Sequence, residues 1–104
     1  MLKINFEFRK GIFFLRLIGD MNKKTYQEKE QELSYLLIEN KFKYIVINVN
    51  DLNSIDMTGI NYINKIYYLT IKNKSNLVLC DKFKLLSSIL KKNIPSINDE
   101  IEVL

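Results

Sequence analysis

Ile4, Phe6 and Phe8 alternate with Asn5, Glu7 and Arg9 at the start of the chain, the period of a strand with one buried face. Lys10-Gly11 marks a turn. Ile12 to Ile18 is nearly continuous in apolar and aromatic residues, broken by Arg16, so the two segments predict a hairpin. Gly19 is expected to end the second strand, where the backbone bends away from the sheet. After Asn22 the period becomes helical. Thr25 and Glu28 are spaced as a capping box, and Asn22 is an equally good cap for an earlier start. The helix is expected to reach about Asn40, with Tyr26, Leu33, Leu36 and Leu37 inward and Lys29, Glu30, Glu32 and Glu39 toward water.

Tyr44 to Asn50 is mostly β-branched, aromatic and apolar with no helical period, which suits a central strand covered on both faces of a parallel sheet. A loop from Asp51 to Gly59 should follow. From Ile60, apolar residues recur at Ile63, Ile66, Tyr67 and Ile71, one face of a second helix that ends at Lys72-Asn73-Lys74. Asn76 to Cys80 predicts a short strand. Asp81 is placed to cap a third helix carrying Phe83, Leu86, Ile89 and Leu90 inward and ending near Asn93, and Pro95 blocks its continuation. Ile94 to Ile97 fits a brief edge strand, with Asn98 or Asp99 capping a last turn through Glu102. The order ββαβαβα with a small tail is that of an α/β domain whose parallel strands are joined by right-handed helical crossovers.

One segment looks chemically arranged. Asp56, Met57 and Thr58 lie where the chain leaves the sheet edge and begins a helix, and Asp and Thr oxygens accept hydrogen bonds from the unpaired amides of a first turn. Taken alone, Asp-Met-Thr-Gly reads as a capped helix. Together, the strand, the Asp56-Met57-Thr58-Gly59 loop and the amphipathic helix resemble the signature of the STAS domain family, the anti-sigma factor antagonists and their relatives. A second match, Leu17-Ile18-Gly19-Asp20-Met21-Asn22, resembles the family's Leu-x-Gly-x-Leu-Asp at the end of an early strand. The resemblance implies a mixed four- to five-stranded sheet with the first strand at an edge and helices mainly on one face, in a single domain over residues 1–104.

Composition then removes most other chemistry. The chain of 104 residues is long enough for one domain and too short for two ordinary ones, and its 47% apolar and 27% charged content is that of a globular protein. It has no histidine, which excludes Ser-His-Asp and Cys-His catalysis and His-containing zinc sites, and the remaining candidates Asp20, Asp51 and Asp56 lack a matching base, nucleophile or metal partner. The expectation is a protein that is not an enzyme and takes no cofactor. The lone Cys80 ends an apolar run and reads as a packed thiol. No apolar run approaches the roughly 20 residues needed to span a bilayer and no secretory leader opens the chain, which points to the cytoplasm and to no membrane insertion.

The net charge of +4 is uneven: Lys65, Lys72, Lys74, Lys82, Lys84, Lys91 and Lys92 face only Asp81 between Met57 and Asn98. Such a surface attracts nucleic acid, anionic lipid or an acidic protein face, yet no helix-turn-helix, aromatic RNA motif or arginine cluster accompanies it, so direct nucleic-acid binding stands well below the other binding readings, with an enzyme below it again.

The first and last loops of interest, Gly19 to Asn22 and Asn53 to Gly59, both leave carboxyl ends of predicted strands and should be neighbours. What the resemblance implies there is partner switching: a serine-threonine kinase that is also an anti-sigma factor phosphorylates the antagonist, and only the unphosphorylated antagonist captures it. By resemblance Thr58 is the phosphoryl acceptor, and Asp20, Asn22, Asp56, Met57, Thr58 and Gly59 form the partner-binding surface of a monomer or weak dimer. Asn22 stands where the family usually has aspartate, and Thr58 where serine is commoner. The alternative is a constitutive STAS subunit of another complex, such as a lipid-transport ATPase, with no phosphorylation.

Overall fold

A computed structural model describes residues 1–38, 42–86, 89–90 and 94–104, with the side chains of Leu37 and Ile38 outside that description. Strands β1 (Leu2–Arg9) and β2 (Ile12–Met21) form the hairpin. Lys10 and Gly11 both have positive φ, 53° and 80°, as a two-residue turn matched to strand twist requires. Helix α1 (Lys23–Ile38) leads to β3 (Tyr44–Ile55), and α2 (Met57–Lys72) leads to β4 (Asn76–Cys80). A two-residue β5 (Ser96–Ile97) and a 3-10 turn over Glu100–Val103 close the order. The sheet is mixed, in the order β1-β2-β3-β4-β5, antiparallel at β1-β2 and parallel elsewhere.

Both helices cover one face. Leu33 and Leu36 of α1 and Ile60, Tyr62, Ile63 and Ile66 of α2 pack on Phe13, Leu15, Leu17, Ile45, Ile47 and Leu79 of the sheet. The strand between these two layers is buried on both sides, which is why β2 and β3 lack clean alternation: Phe14 and Val46 point the other way and form a second apolar cluster with Ile12, Val78 and Cys80. The C-terminal segment closes that second face, with Ile97 and Val103 packed on it.

A polar clamp holds this segment down. The Arg16 guanidinium donates from Nε and Nη2 to the two Glu100 carboxylate oxygens at 2.8 and 2.7 Å, and from Nη2 to Glu7 at 2.8 Å. Asn48 donates to the same Glu100 carboxylate at 2.6 Å, and Asn50 donates to the Asn98 carbonyl at 2.9 Å. The Arg16 hydrogen bonds and charge, with that of Asn48, hold the Glu100 carboxyl below its usual range. Beneath the segment, burial first and then the carboxylates of Glu100 and Asp99 push the Cys80 thiol up to about 11, so it stays protonated, accepting from the Asn50 amide and donating to the Asn98 carbonyl, each at 3.4 Å.

Because Glu100 is more acidic folded than unfolded, its contribution is complete above the unfolded value and lost as pH falls through the folded one. Glu100→Gln should therefore lower stability by about 1–2 kcal/mol at pH 7. The gap to wild type should close as pH falls below about 4. Urea unfolding at the two pH values checks both, and a gap independent of pH would remove Glu100 from the clamp.

Several expectations need correction. Gly19 does not end β2, which runs on to Met21; its φ of 99° and its closeness to the backbone of Met1 are what require glycine, since any Cβ would overlap the Met1 carbonyl. Residues 51–55 are not loop but the end of β3, paired with β2 through Ile18↔Asp51, Gly19↔Leu52, Asp20↔Ser54 and Met21↔Ile55. Phe6 and Phe8 remain 51% and 63% exposed although they share the strand face of Ile4, because they lie on the outer edge strand, where their rings meet Phe13 and Phe42. Ile71 is exposed, and Tyr62 is buried in its place.

The third helix is absent from the described residues 81–86 and 89–90, which form turns. Asp81 does cap, accepting from the amides of Leu85 and Leu86 at 2.8 and 2.9 Å, but Lys84 has a φ of 54°, which breaks a helix there. Leu86 is buried while Phe83 is 73% exposed and Ile89 also lies largely in solvent. The expected helix ends at Asn40 and Asn93, the Leu37 side chain, Glu39 and the lysines at 91 and 92 lie outside the described residues.

Candidate functional site

The carboxyl ends of β2 and β3 lie side by side, and a helix starts from each. The Asp56 amide donates to the Met21 carbonyl at 3.0 Å, which ties the two exits together. Asp56 is the N-cap of α2: one carboxylate oxygen accepts from the amides of Thr58 and Gly59 at 2.9 and 3.3 Å. Its other oxygen accepts from the Lys23 amide, the first of α1, at 3.2 Å. A single exposed carboxylate thus terminates two helices whose positive dipole ends converge on it.

The first exit is built from small polar residues. Asn22 caps α1 reciprocally with Thr25: the Thr25 amide donates to Oδ1 of Asn22 at 3.0 Å, and the Asn22 amide donates to the Thr25 hydroxyl at 2.9 Å. The cap is therefore Asn22 with Thr25, not Thr25 with Glu28. That hydroxyl also donates to the Asp20 carbonyl at 2.8 Å, which explains why Thr25 is buried. Asn22 acts here through an amide oxygen that needs no negative charge. The Asp20 carboxylate accepts from the Ser54 hydroxyl at 2.8 Å and lies 3.8 Å from the chain's terminal ammonium.

Met57, Thr58 and Gly59 form the first turn of α2. Met57 is 62% exposed at the mouth of the helix. Gly59 is buried, and a Cβ there would stand 2.5 Å from Cγ1 of Ile55 and 3.1 Å from Cγ of Met21. The room left by this glycine lets α2 seat on the strand ends rather than opening toward a partner. Thr58 is half-buried; among the described residues its hydroxyl has no hydrogen-bond partner.

Thr58 opens on a cleft of about 220 Å³ whose walls are Tyr26 of α1 and Asn61, Tyr62 and Lys65 of α2. The Tyr26 and Tyr62 rings are 5.5 Å apart between centroids. Tyr62 is 6% exposed and its hydroxyl has no hydrogen-bond partner among the described residues. Leaving such a group unpaired costs about 1–3 kcal/mol. Burial pushes the Tyr62 phenol far above its ordinary value, so it is a neutral O–H donor at any physiological pH. Nothing in the Asp-Met-Thr-Gly motif marks this wall, but offsets of three, four and seven from Thr58 place Asn61, Tyr62 and Lys65 on its helix face.

The expected site residues therefore fall together, Asp20 and Asn22 at one strand exit and Asp56, Met57, Thr58 and Gly59 at the next. Of the described lysines, Lys65 and Lys72 ride on α2, Lys74 and Lys82 lie in turns, and Lys84 lies between turns. Among the described residues no three His, Cys, Asp or Glu side chains gather as metal ligands, and no helix is long and apolar enough to cross a membrane.

Comparison with known proteins agrees with this architecture. Residues 3–82 match the STAS domain. The anti-sigma factor antagonist SpoIIAA in its unphosphorylated form superposes with a TM-score of 0.77 at 11% identity, over 99% of this chain and 93% of that one. An anti-sigma factor antagonist from Mycobacterium paratuberculosis gives 0.77 at 14% identity, over 98% and 90%. An uncharacterized protein from Shewanella loihica with a SpoIIAA-like fold gives 0.58 at 11%, over 97% and 89%. At these identities the structural likenesses speak for the fold.

Proposed function

The chain belongs to the STAS domain family, and from that premise we propose that it is a binding module whose capture of a protein partner is governed by phosphorylation of Thr58. The observation that carries the reading is a hydroxyl in the first turn of α2 with no hydrogen-bond partner among the described residues, next to an exposed Met57, where two strand exits meet. The partner is an anti-sigma factor that is also a serine-threonine kinase, by likeness to the antagonists that share the fold. The module works in the cytoplasm and supplies no catalytic group. The Thr58 oxygen attacks the γ-phosphorus of ATP, its proton passes to a base on the kinase, and ADP leaves.

A second reading has one observation in its favour. The Asp56 carboxylate already occupies the amides of Thr58 and Gly59, so a phosphate at Thr58 meets a like charge where a bare helix end would offer donors. A constitutive subunit that uses Met57 and Thr58 as plain contacts would have no such conflict. Incubation of the purified chain with ATP and the kinase from its own cells separates the two. The switch predicts a mass gain of one phosphate that Thr58→Ala abolishes; an unchanged mass supports the constitutive subunit.

A further inference from the structure

We propose that the cleft beside Thr58 is an oxyanion seat, and that its occupant is the phosphate of phosphorylated Thr58 itself, turned back along α2 onto Lys65, Asn61 and the Tyr62 hydroxyl. The inference rests on the phosphoryl-acceptor reading and adds where the phosphate goes.

Asp56 engages two of the amides that an anion at a helix start would ordinarily use. A phosphate on Thr58 must find its donors elsewhere, and the cleft offers them. Lys65 is the one charged residue among its walls, and neither the cleft nor any position of α2 carries a carboxylate. The carboxylates that bear on it come from neighbouring segments: Asp56 at the helix start and Glu30 of α1, whose charge reaches Tyr26. Side chains on a helix lean toward its N-terminus, so Asn61, Tyr62 and Lys65 all reach back toward position 58. Tyr62 brings the independent sign of a ligand: a residue of the cleft wall, 6% exposed, whose hydroxyl has a proton to donate and no partner among the described residues. The phosphate would take the Lys65 charge, the Asn61 amide and the Tyr62 proton.

Phosphothreonine installed at position 58 during translation tests this without any kinase, by following the second phosphate ionisation with phosphorus NMR. That ionisation lies near pH 6 for a free phosphothreonine. A seated dianion is stabilised by the Lys65 cation, so Lys65→Met should raise the value by about half a unit, and Tyr62→Phe should raise it by less. Lys72→Met, farther along the same helix, should leave it unchanged. A Lys65→Met titration superimposable on that of the unsubstituted phosphoprotein overturns the seat, as does an equal rise in Lys72→Met, which would reduce the effect to a general field. Lys65 is exposed, so its loss spares the fold. A chain that no kinase modifies would sink the switch and leave these titrations untouched; flat titrations in a chain that is phosphorylated would sink the seat alone.

Discussion

Asp56→Ala is expected to lower the unfolding free energy by about 2–3 kcal/mol, roughly twice the loss from an ordinary helix cap. The reason is that one side chain serves two helices. Removing it frees the amides of Thr58 and Gly59 on α2 and of Lys23 on α1, and removes a negative charge from between two positive dipole ends. Asp56 is exposed, so water replaces part of what is lost, and the effect stays below the sum of three buried hydrogen bonds. Asp56→Asn keeps a single acceptor oxygen and should lose about half as much, since it can cap one helix and not both. Asn22→Ala, which breaks the cap of α1 alone, should cost about 1 kcal/mol. Urea unfolding with an unchanged m-value measures all three. Equal losses in Asp56→Ala and Asn22→Ala would refute the double cap.

The double cap also shows where a sequence stops being informative. Asp-Met-Thr-Gly announces a helix start, and the bond from Asp56 to the Thr58 amide follows from local spacing. The bond to Lys23, 33 residues earlier, follows only from the parallel pairing of β2 and β3. The same pairing explains the misread end of β3. Asp51, Asn53 and Ser54 have the composition of a loop, but β2 supplies a hydrogen-bonded edge as far as Ile55, and pairing outweighs intrinsic preference. On α2 the stripe Ile60, Ile63 and Ile66 was legible from period alone. Its last member, Ile71, was not: at the end of the helix Thr70 is the buried residue and Ile71 beside it faces solvent, whereas Tyr62, packed against Tyr26 of α1, is buried despite its hydroxyl. The segment after β4 failed for a local reason, a positive φ at Lys84, which lysine rarely adopts and no pattern of apolar residues foretells.

The largest functional effect is expected from charge at Thr58: phosphorylation should weaken capture of the protein partner more than a hundredfold while the fold is kept. A loss of roughly 3 kcal/mol is enough for that factor. It arises at the interface, since a partner covering Met57 and Thr58 must strip water from a group carrying a charge of about −1.5 to −2 beside the Asp56 carboxylate. The fold escapes because Thr58 is half-buried at a helix mouth, with its hydroxyl committed to no structural bond among the described residues. Thr58→Ala should bind like the unmodified chain, and Thr58→Glu should fall between the two, because a carboxylate carries less charge and fewer acceptor oxygens than phosphate. Titration of the co-purifying partner against the unmodified, phosphorylated, Ala and Glu forms gives the ordering, and thermal melting of each reads the fold. Added salt should recover only a small part of the lost affinity, as the cost is mainly one of desolvation and contact-range repulsion, which mobile ions screen poorly. Equal capture of the phosphorylated and unmodified forms would mean that the partner does not cover the mouth of α2, and the switch would fail with it.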